Sequence, residues 1–249
     1  MTYLETRQLT YIFPNGTVAI DDINLSIESG EFVIIAGANG SGKTVLTRHF
    51  NGLLLPSRGQ VLLKGVPITK DLTYTRKNIG LVFQNSDSQI VGQTVAEDVA
   101  FGPENLKLPR REVETRVQES LEAVGLSALA NLQPHALSGG QKRKLAVAGV
   151  LAMKPKVIIF DEPFTGLDYP GGLQVLQQIV SLHQSGHTII LVTHELDKIL
   201  AHATRLIIME KGRIVKDGNP GQLIEEVELY GIKKPYGENR KVETMTWLS

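Results

Sequence analysis

The stretch that decides the fold is Gly37-Ala38-Asn39-Gly40-Ser41-Gly42-Lys43-Thr44, which lies between an apolar run and a segment with helical character. The apolar run, Phe32-Val33-Ile34-Ile35-Ala36, has the length and the β-branched composition of a buried strand. A strand, a glycine-rich loop and a helix in this order are the context that a phosphate-binding loop (P-loop) requires. This context disfavours the alternative, a glycine-rich turn that fits the pattern by chance.

The composition of the loop suits a triphosphate, whose oxygens need many short donors that converge on one point. Glycines let successive backbone N–H groups turn inward as an anion-binding nest, and the helix after the loop adds its positive dipole end. Lys43 can reach the β- and γ-phosphates, while the Thr44 hydroxyl can bind Mg²⁺. We predict that the chain binds a nucleoside triphosphate. The predicted binding residues are Gly37, Asn39, Gly40, Ser41, Gly42, Lys43 and Thr44.

Length and composition limit the class of protein. The 249 residues suffice for one large domain, or for a core with a subdomain. Basic and acidic residues balance at 26 each, so net charge does not draw the chain to nucleic acid or to an anionic membrane. The absence of cysteine excludes disulfides and thiolate metal sites. The N-terminus lacks an apolar signal region, and the longest apolar runs are too short to span a bilayer. We expect a soluble, cytoplasmic protein whose membrane role would depend on partners.

The pattern along the chain predicts an α/β fold. The first thirty residues read as antiparallel strands, and from Val157 onward strands alternate with helices, which implies a parallel sheet with crossover helices. We predict a P-loop NTPase core with a mixed, mainly parallel sheet, flanking helices and an N-terminal antiparallel β-subdomain. An α-helical subdomain is inserted at about 86–153. The nucleotide-binding domain covers 1–230, and 231–249 form a polar, peripheral tail.

Several individual elements follow from periodicity and from helix-stop signals. An apolar helical face is formed by Val113, Val117, Leu121 and Val124. Further helices are predicted from Lys43 to about Asn51, from Gly140 to Met153, after Gly171 and after His194. The region between the short strands Val61–Leu63 and Ile79–Phe83 is rich in turn residues.

Two adjacent carboxylates, Asp161 and Glu162, end the apolar strand that begins at Val157. Strands beside a P-loop commonly end in this way, because Mg²⁺ needs a carboxylate in its inner or outer shell. Asp161 suits that role, and Glu162 at the strand tip is placed to polarise an attacking water as a general base. An acidic strand end that is merely solvated would be equally plausible alone, but the P-loop favours the catalytic interpretation.

A second glycine-containing stretch, Leu137-Ser138-Gly139-Gly140-Gln141, precedes a helix that carries Lys142, Arg143 and Lys144. A serine and two glycines at a helix N-terminus form another phosphate-sized nest. Three cations near the positive end of a helix are unfavourable, which suggests a nearby anion or an acidic partner surface. A plain capping turn explains the stretch equally well.

In their order along the chain, these motifs resemble those of ATP-binding cassette (ABC) ATPases. Leu137–Gln141 looks like the signature motif of that family, and Gln84 resembles the glutamine of its Q-loop. Gly166-Leu167-Asp168 resembles the D-loop, and His194 resembles the switch histidine. The resemblance covers nearly the whole chain, apart from the tail after about residue 230.

The resemblance implies a role for each matched residue and implies ATP and Mg²⁺ as cofactors. Gln84 would bind Mg²⁺ through its amide oxygen, and His194 would donate a hydrogen bond to a γ-phosphate oxygen. Asp168 would order the interface between two subunits, with a helix N-cap as the alternative. Phe13 resembles the aromatic residue that stacks on adenine, with Tyr11 as the alternative. The predicted catalytic residues are Glu162, His194, Gln84 and Lys43, and the predicted metal ligands are Thr44, Gln84 and Asp161.

In such proteins the P-loop of one subunit faces the signature motif of another, and ATP is bound between them. A second ABC ATPase subunit is therefore implied, either another copy of this chain or a paralogue. The residues expected to serve the partner's ATP are Ser138, Gly139, Gly140 and Gln141, together with Asp168 at the interface.

The stretches from Val82 to Val91 and from Thr94 to Leu106 resemble ATPase subunits of energy-coupling factor (ECF) transporters, which include cobalt and nickel importers. There, the Q-loop and the helical subdomain dock a transmembrane scaffold protein, which moves a substrate-binding membrane protein that carries a vitamin or a metal ion. The resemblance implies a peripheral location on the cytoplasmic face of the inner membrane. The alternatives are the ATPase of another ABC importer or exporter, and a soluble ABC protein acting on nucleic acid or ribosomes, which the balanced charge disfavours.

The sequence departs from the usual family pattern at three places. Phe13 replaces a more usual Tyr, Phe164 stands where a small polar residue is common, and Tyr169-Pro170 after the D-loop is unusual. The sequence alone does not indicate what these residues do.

Overall fold

The computed structural model describes residues 2–235 and 242–248 of the chain. Part of the predicted tail, including Gly237, lies outside the described residues. The strands are β1 (Thr2–Ile12), β2 (Val18–Glu28), β3 (Phe32–Ala36), β4 (Arg58–Leu63), β5 (Val66–Pro67), β6 (Ile79–Val82), β7 (Val157–Asp161), β8 (Thr188–Val192), β9 (Arg205–Glu210) and β10 (Arg213–Gly218). The helices are α1 (Lys43–Phe50), α2 (Leu72–Asn78), α3 (Val95–Asn105), α4 (Arg110–Val124), α5 (Gly139–Ala152), α6 (Tyr169–Gln184) and α7 (Pro220–Leu223).

The strands form two sheets. A four-stranded antiparallel sheet has the order β2-β1-β4-β5, and a six-stranded sheet has the order β10-β9-β3-β8-β7-β6. All pairs in the larger sheet are parallel except β10 with β9. The predicted α/β fold, with its mixed, mainly parallel sheet and antiparallel N-terminal part, is confirmed.

The central strands of the larger sheet are buried on both faces, which is typical of a parallel sheet covered by two layers. All residues of β3, β7 and β8 are buried. Along β3, Phe32 and Ile34 face one core cluster, while Val33 and Ile35 face the other. The core therefore fixes these strands from both sides and holds their carboxyl ends in place.

The register brings the ends of three strands together. Ile35 of β3 and Asp161 of β7 both pair with Val192 of β8. Since carboxyl ends of parallel strands meet at one edge of the sheet, the residues that follow β3, β7 and β8 lie side by side. These residues are the P-loop, Glu162 and the turn that contains His194.

Helices α3, α4 and α5 pack against one another within the predicted insertion. Val113, Leu121 and Val124 of α4 are buried and Val117 packs against them, as the helical period predicts. The exact limits of this subdomain, and the domain boundary at residue 230, stay predictions. Within residues 2–235 and 242–248, no helix combines the length and apolar character needed to cross a membrane.

Three predictions about local structure are wrong. The turn-rich region after β5 contains helix α2, whose N-cap Asp71 accepts a hydrogen bond from the Tyr74 amide at 2.8 Å. Helix α6 begins at Tyr169 rather than after Gly171, because Asp168 caps it and Pro170 suits a first turn. No α-helix begins directly after His194. The described chain forms two 3₁₀ turns there, separated by Ile199 with a φ of −144°, which an α-helix does not permit.

The peripheral placement predicted for the tail is also wrong for its described part. Ile232 is 1% exposed and Met245 is 2% exposed, and both belong to the larger core cluster. Apolar residues so close to the end of the chain gain from burial whenever a groove can receive them. The segment 242–248 therefore packs against the core.

Candidate functional site

The P-loop backbone has a shape that only glycine permits at two positions. Gly37 has a φ of +155°, and a Cβ placed on it would lie 2.3 Å from the backbone oxygen of Met209. Gly42 has a φ of +102°, and its Cβ would lie 2.8 Å from the backbone oxygen of Ala19. These approaches are too close for any side chain, so the loop's course is set by contacts with neighbouring strands.

Helix α1 begins directly at the end of this loop. Its N-cap is Gly42, which has no side chain to bond to the amides of the first turn. Free amides and the helix dipole make such an end a site for anions. No side chain caps this helix start, and Gly42, Lys43 and Thr44 line an open cleft.

Lys43 lies across the loop. Its side chain is buried, and Nζ donates hydrogen bonds to the carbonyl oxygens of Gly37 at 2.7 Å and Ala38 at 3.0 Å. Burial lowers the pKa of Lys43, although the nearby carboxylates of Glu162 and Asp161 oppose this shift. The ammonium group thus sits between the loop and the two carboxylates at the end of β7.

Asp161 and Thr44 form a pair of oxygens beneath the loop. Thr44 Oγ1 donates a hydrogen bond to Asp161 Oδ1 at 3.1 Å. Asp161 is only 6% exposed, and burial raises the pKa of its carboxyl group despite the hydrogen bond from Thr44. A hydroxyl and a buried carboxylate side by side are the kind of oxygen donors that Mg²⁺ binds.

Glu162 occupies a bend at the end of β7. Its φ of +48° is unusual for a residue with a side chain, and its amide donates to the Val192 carbonyl at 2.9 Å. The bend places its carboxylate beside His194, whose Nδ1 lies 3.0 Å from both Oε1 and Oε2. A non-glycine residue held in this conformation is a mark of functional sites.

Most of the predicted site residues line one cleft of about 580 Å³. It receives Phe13 from the N-terminal sheet, Gln84 from the end of β6, and both Glu162 and His194 from the sheet edge. From the P-loop it is lined by Asn39, Gly40, Ser41, Gly42, Lys43 and Thr44. Residues Thr17, Val18, Ala19 and Thr165 also line the cleft, although their sequence carries no motif that would have singled them out.

The two candidate aromatic residues differ in position. Phe13 is 37% exposed and lines the cleft. Tyr11 packs edge-on against Phe13, with ring centroids 5.3 Å apart, and against His49 at 4.9 Å. The geometry favours Phe13 for contact with a ligand, while Tyr11 supports it from behind.

The signature stretch lies away from this cleft, at the N-terminus of α5. The Ser138 side chain accepts from the Gln141 amide at 3.3 Å, and the Gln141 side chain accepts from the Ser138 amide at 2.8 Å, which forms a capping box. The capping turn that the sequence left open is thus present. Among the described residues, no atom lies within 4 Å of a Cβ placed on Gly139 or Gly140.

The cations after the signature bind groups of their own chain. Lys142 Nζ lies 2.7 Å from Asp87 Oδ1, and Arg143 donates to the carbonyl oxygens of Gln84, at 3.0 Å, and of Pro163. The inference of a nearby anion or an acidic partner is therefore unnecessary for these two residues. Arg143 was not predicted as a site residue, although its position on the buried face of α5 was a signal. It joins the Q-loop to the segment after Glu162.

Asp168 also lies outside the cleft. Its Oδ1 accepts a hydrogen bond from the Gly171 amide at 3.0 Å, so it caps α6. This is the alternative role that the sequence allowed. A role at an interface between subunits stays a prediction.

Comparison with known proteins now identifies the family. A family model for ABC transporters matches residues 20–165, which is more than half of the chain. The chain belongs to this family. An energy-coupling factor transporter ATP-binding protein of Methanocaldococcus jannaschii is 47% identical over 231 residues, covering 92% of this chain and 83% of that protein. One of Methanococcus maripaludis is 46% identical with the same coverage.

Solved structures agree with these sequences. CbiO1 of Clostridium perfringens, part of an ABC transporter complex, has a TM-score of 0.81 and 39% identity, and the match covers 92% of this chain and 93% of that one. A dimeric ATP-binding cassette bound to ADP and Pi has a TM-score of 0.77 and 28% identity, covering 87% and 98% of the two chains. The predicted membership among ABC ATPases of the ECF type, with ATP as ligand and ATP hydrolysis as activity, is confirmed.

Proposed function

We propose that this chain hydrolyses MgATP to power the uptake of a vitamin or a transition-metal ion through an ECF-type transporter. The observation that carries the chemistry is a single cleft in which the P-loop lies opposite the Glu162–His194 pair. The identity of the relatives supports the transport role.

The residues around Thr44 fit a bound Mg²⁺. Thr44 and the buried Asp161 carboxylate are already in contact, and Gln84 lines the same cleft. Within residues 2–235 and 242–248, no three His, Asp or Glu side chains converge on a metal site, so the protein alone offers few ligands. That is usual for Mg²⁺, which takes its other ligands from water and phosphate. When bound, the metal neutralises charge on the phosphate oxygens.

Glu162 is proposed as the general base. Its carboxylate is nearly buried yet lies on the wall of the cleft, so it can accept a proton from a water that attacks the γ-phosphate. His194 holds this carboxylate through Nδ1 when that nitrogen carries the ring proton, because an ionised carboxylate only accepts. Lys43 holds the phosphates from the other side. Glu162, as the base, and Lys43, as the cation, would then lie on opposite sides of the γ-phosphate.

The signature stretch is proposed to act on the ATP of a second subunit, either another copy of this chain or a paralogue. Two consecutive glycines in the first turn of a helix each cost about 0.5–1 kcal/mol relative to alanine. Neither Gly139 nor Gly140 has a positive φ or a close neighbour within the described chain, so packing in a single subunit does not require them. A nucleotide held by a partner's P-loop would require them, because it would approach the backbone closely. A similar cassette that is dimeric and bound to ADP and Pi supports the formation of a dimer.

A second cleft, of about 350 Å³, is proposed to dock a transmembrane scaffold protein. It lies between the sheet and the helical subdomain, and its wall includes two exposed apolar side chains, Val91 and Phe101. Exposed apolar groups in a groove are typical of a protein-binding site. Docking there would hold the chain peripherally on the cytoplasmic face of the inner membrane. The scaffold would in turn move a substrate-binding membrane protein, and no nucleic-acid partner is proposed.

The chemistry is tested with Glu162→Gln, which keeps the shape of the side chain but removes a base. We expect turnover of MgATP to fall by about 10²–10⁴-fold, with ATP binding retained and a closed dimer accumulating. Glu228→Gln, at an exposed position that does not line the cleft, serves as the matched control. Near wild-type turnover of Glu162→Gln would contradict the assignment of the base.

The transport role is tested by isolating the tagged chain from its native membranes in mild detergent. We expect a multi-spanning scaffold and a small substrate-binding membrane protein to co-purify, and the latter would reveal the substrate class. Recovery of a conventional permease pair would instead indicate another type of ABC transporter. Recovery of soluble proteins or nucleic acid alone would contradict a transport function.

A further inference from the structure

Trp247 meets two aromatic residues, Phe164 and Tyr169, that lie about eighty residues earlier in the sequence, beside the catalytic loops. Trp247 lies 5.0 Å from Tyr169 and 6.5 Å from Phe164, measured between ring centroids. Phe164 and Tyr169 are among the residues that depart from the usual family pattern. Lys198 Nζ completes the group, since it lies 4.3 Å from the centroid of Trp247 and 5.4 Å from that of Phe164. We call these four residues the tryptophan cluster.

Each member of the tryptophan cluster adjoins a loop of the proposed active site. Phe164 follows Glu162 by two residues, and Tyr169 directly follows Asp168. Lys198 is buried and pairs with Glu195, the residue next to His194. A single indole ring thus contacts two loops, the one between β7 and α6, through Phe164 and Tyr169, and the one after β8, through Lys198. Aromatic and cation–π contacts of this kind are directional, so they fix relative orientation as well as distance.

Hydrogen bonds attach the end of the chain to the turn after His194. The Trp247 amide donates to the Lys198 carbonyl at 3.1 Å, and the Ala201 amide donates to the Met245 carbonyl at 3.1 Å. A third bond, 2.8 Å long, joins His202 Nε2 to Thr246 Oγ1. This turn is built of two short 3₁₀ segments rather than a helix, so it has little stability of its own. The terminal segment supplies partners that a helix would have provided internally.

Gly172 provides room for the ring. A Cβ placed on Gly172 would lie 2.7 Å from Cζ3 of Trp247. This glycine lies inside α6, where alanine would otherwise favour the helix. Packing therefore explains why residue 172 is a glycine, since the Trp247 ring lies too close for a side chain.

We propose that Trp247 is a positioning residue for ATP hydrolysis, which ties the D-loop and the turn after His194 to the segment after Glu162. This inference rests on the proposed function, because it concerns the alignment of Glu162 and His194. It assigns a role to Phe164 and Tyr169 that the sequence left open. The segment 242–248 thereby becomes part of the machinery that sets the rate.

The test compares Trp247→Ala, Trp247→Phe and the control Leu229→Ala, all in the full chain. Leu229 is 76% exposed, does not line the cleft and does not belong to the tryptophan cluster. We expect Trp247→Ala to lower kcat about ten-fold, with the Kd for ATP changed by less than about two-fold, because alignment is lost and the P-loop is not touched. Trp247→Phe should recover most of the rate, and Leu229→Ala should match the wild type. A loss of ATP affinity equal to the loss of kcat would overturn the proposal.

Two readouts need no hydrolysis, so they separate this inference from the proposed function. Trp247 is the only tryptophan, and its emission reports on the cluster alone. Gly172→Ala should displace the ring, shift this emission to longer wavelength and lower kcat, even though alanine suits a helix better. In Trp247→Ala, hydrogen exchange at the Ala201 amide should accelerate about ten-fold.

Unchanged exchange in Trp247→Ala, or unchanged emission in Gly172→Ala, would overturn the positioning role. Faster exchange with unchanged kcat would also overturn it, since the contact would then be structural only. If the wild-type chain failed to hydrolyse MgATP, the proposed function would fall and the positioning role with it, whereas failure of only the Trp247 variants to show these effects would leave the proposed function intact.

Discussion

Helices α1 and α5 both begin with glycine-rich turns, but only the turn before α1 is packed closely against the rest of its own subunit. At the start of α1, Gly37 and Gly42 have positive φ values and lie against the backbone of neighbouring strands. At the start of α5, Gly139 and Gly140 face open space among the described residues. Contacts within the subunit therefore require the glycines of the first loop. No contact among the described residues requires the glycines of the second.

The capping of the two helices shows the same contrast. Helix α1 begins at a glycine that cannot cap, which leaves its first amides for a ligand. Helix α5 has a complete capping box between Ser138 and Gln141. Under the proposed function, the first turn holds the nucleotide of its own subunit, while the second would contact the nucleotide of a partner subunit. Four substitutions test this difference between the two helix starts.

The largest expected effect comes from Ser138→Arg. A bulky cation at this turn should block a partner's nucleotide and lower turnover by about 10³-fold, which is the size expected when transition-state donors are lost. ATP binding by isolated monomers should persist, because the P-loop cleft does not include Ser138. Ser127→Arg, at an exposed serine of the same subdomain, is the control. Loss of monomer binding would show that the two helix starts serve the same nucleotide in one chain.

The second effect contrasts Gly37→Ala with Gly140→Ala. Alanine at 37 would lie 2.3 Å from a backbone oxygen, so we expect a loss of about 3 kcal/mol in the free energy of unfolding, with loss of ATP binding. Alanine at 140 should stabilise the monomer by about 0.5–1 kcal/mol through helix propensity, while lowering turnover of the dimer. Denaturant unfolding and ATPase assays measure both. A monomer destabilised by Gly140→Ala would show that its own chain does need this glycine.

The smallest effect concerns the buried carboxylate beneath the first loop. Burial raises the pKa of Asp161, so the folded chain holds this proton more tightly than the unfolded chain does. The resulting contribution to stability is present below the ordinary pKa of Asp and is lost as the pH rises through the raised value. At neutral pH the ionised carboxylate therefore costs stability, and Asp161→Asn should relieve that cost. A gain of about 1 kcal/mol would raise Tm by about 2–4 °C in a chain of this size, measured without nucleotide.

Asp161→Asn should also flatten the dependence of Tm on pH above the ordinary pKa of Asp, and it should abolish MgATP turnover. Asp87→Asn, at an exposed carboxylate that pairs with Lys142, is the control for the loss of one negative charge. A lower Tm for Asp161→Asn at neutral pH would show that the charge itself stabilises the loop.

Much of this molecule was predictable from its sequence, because local chemistry repeats a small set of patterns. The buried run Phe32–Ala36 and the glycines after it specify a strand and a loop whatever surrounds them. Asp161 and Glu162 end a buried strand, and the order of the motifs identified the family. The helix predicted after His194 was wrong because its backbone is held by the terminal segment, which no local pattern shows.

Only the tertiary structure decided which residues meet. Parallel pairing of β3, β7 and β8 places Thr44 against Asp161 and Glu162 against His194, across separations of 117 and 32 residues. The choice of Phe13 over Tyr11, the internal partners of Lys142 and Arg143, and the burial of Met245 depend in the same way on packing between distant segments. Propensity and motif spacing act over a few residues, so local sequence was enough to predict most strands, helices and motifs. Burial and sheet register act between distant segments, so they determined which of these elements and motifs are in contact.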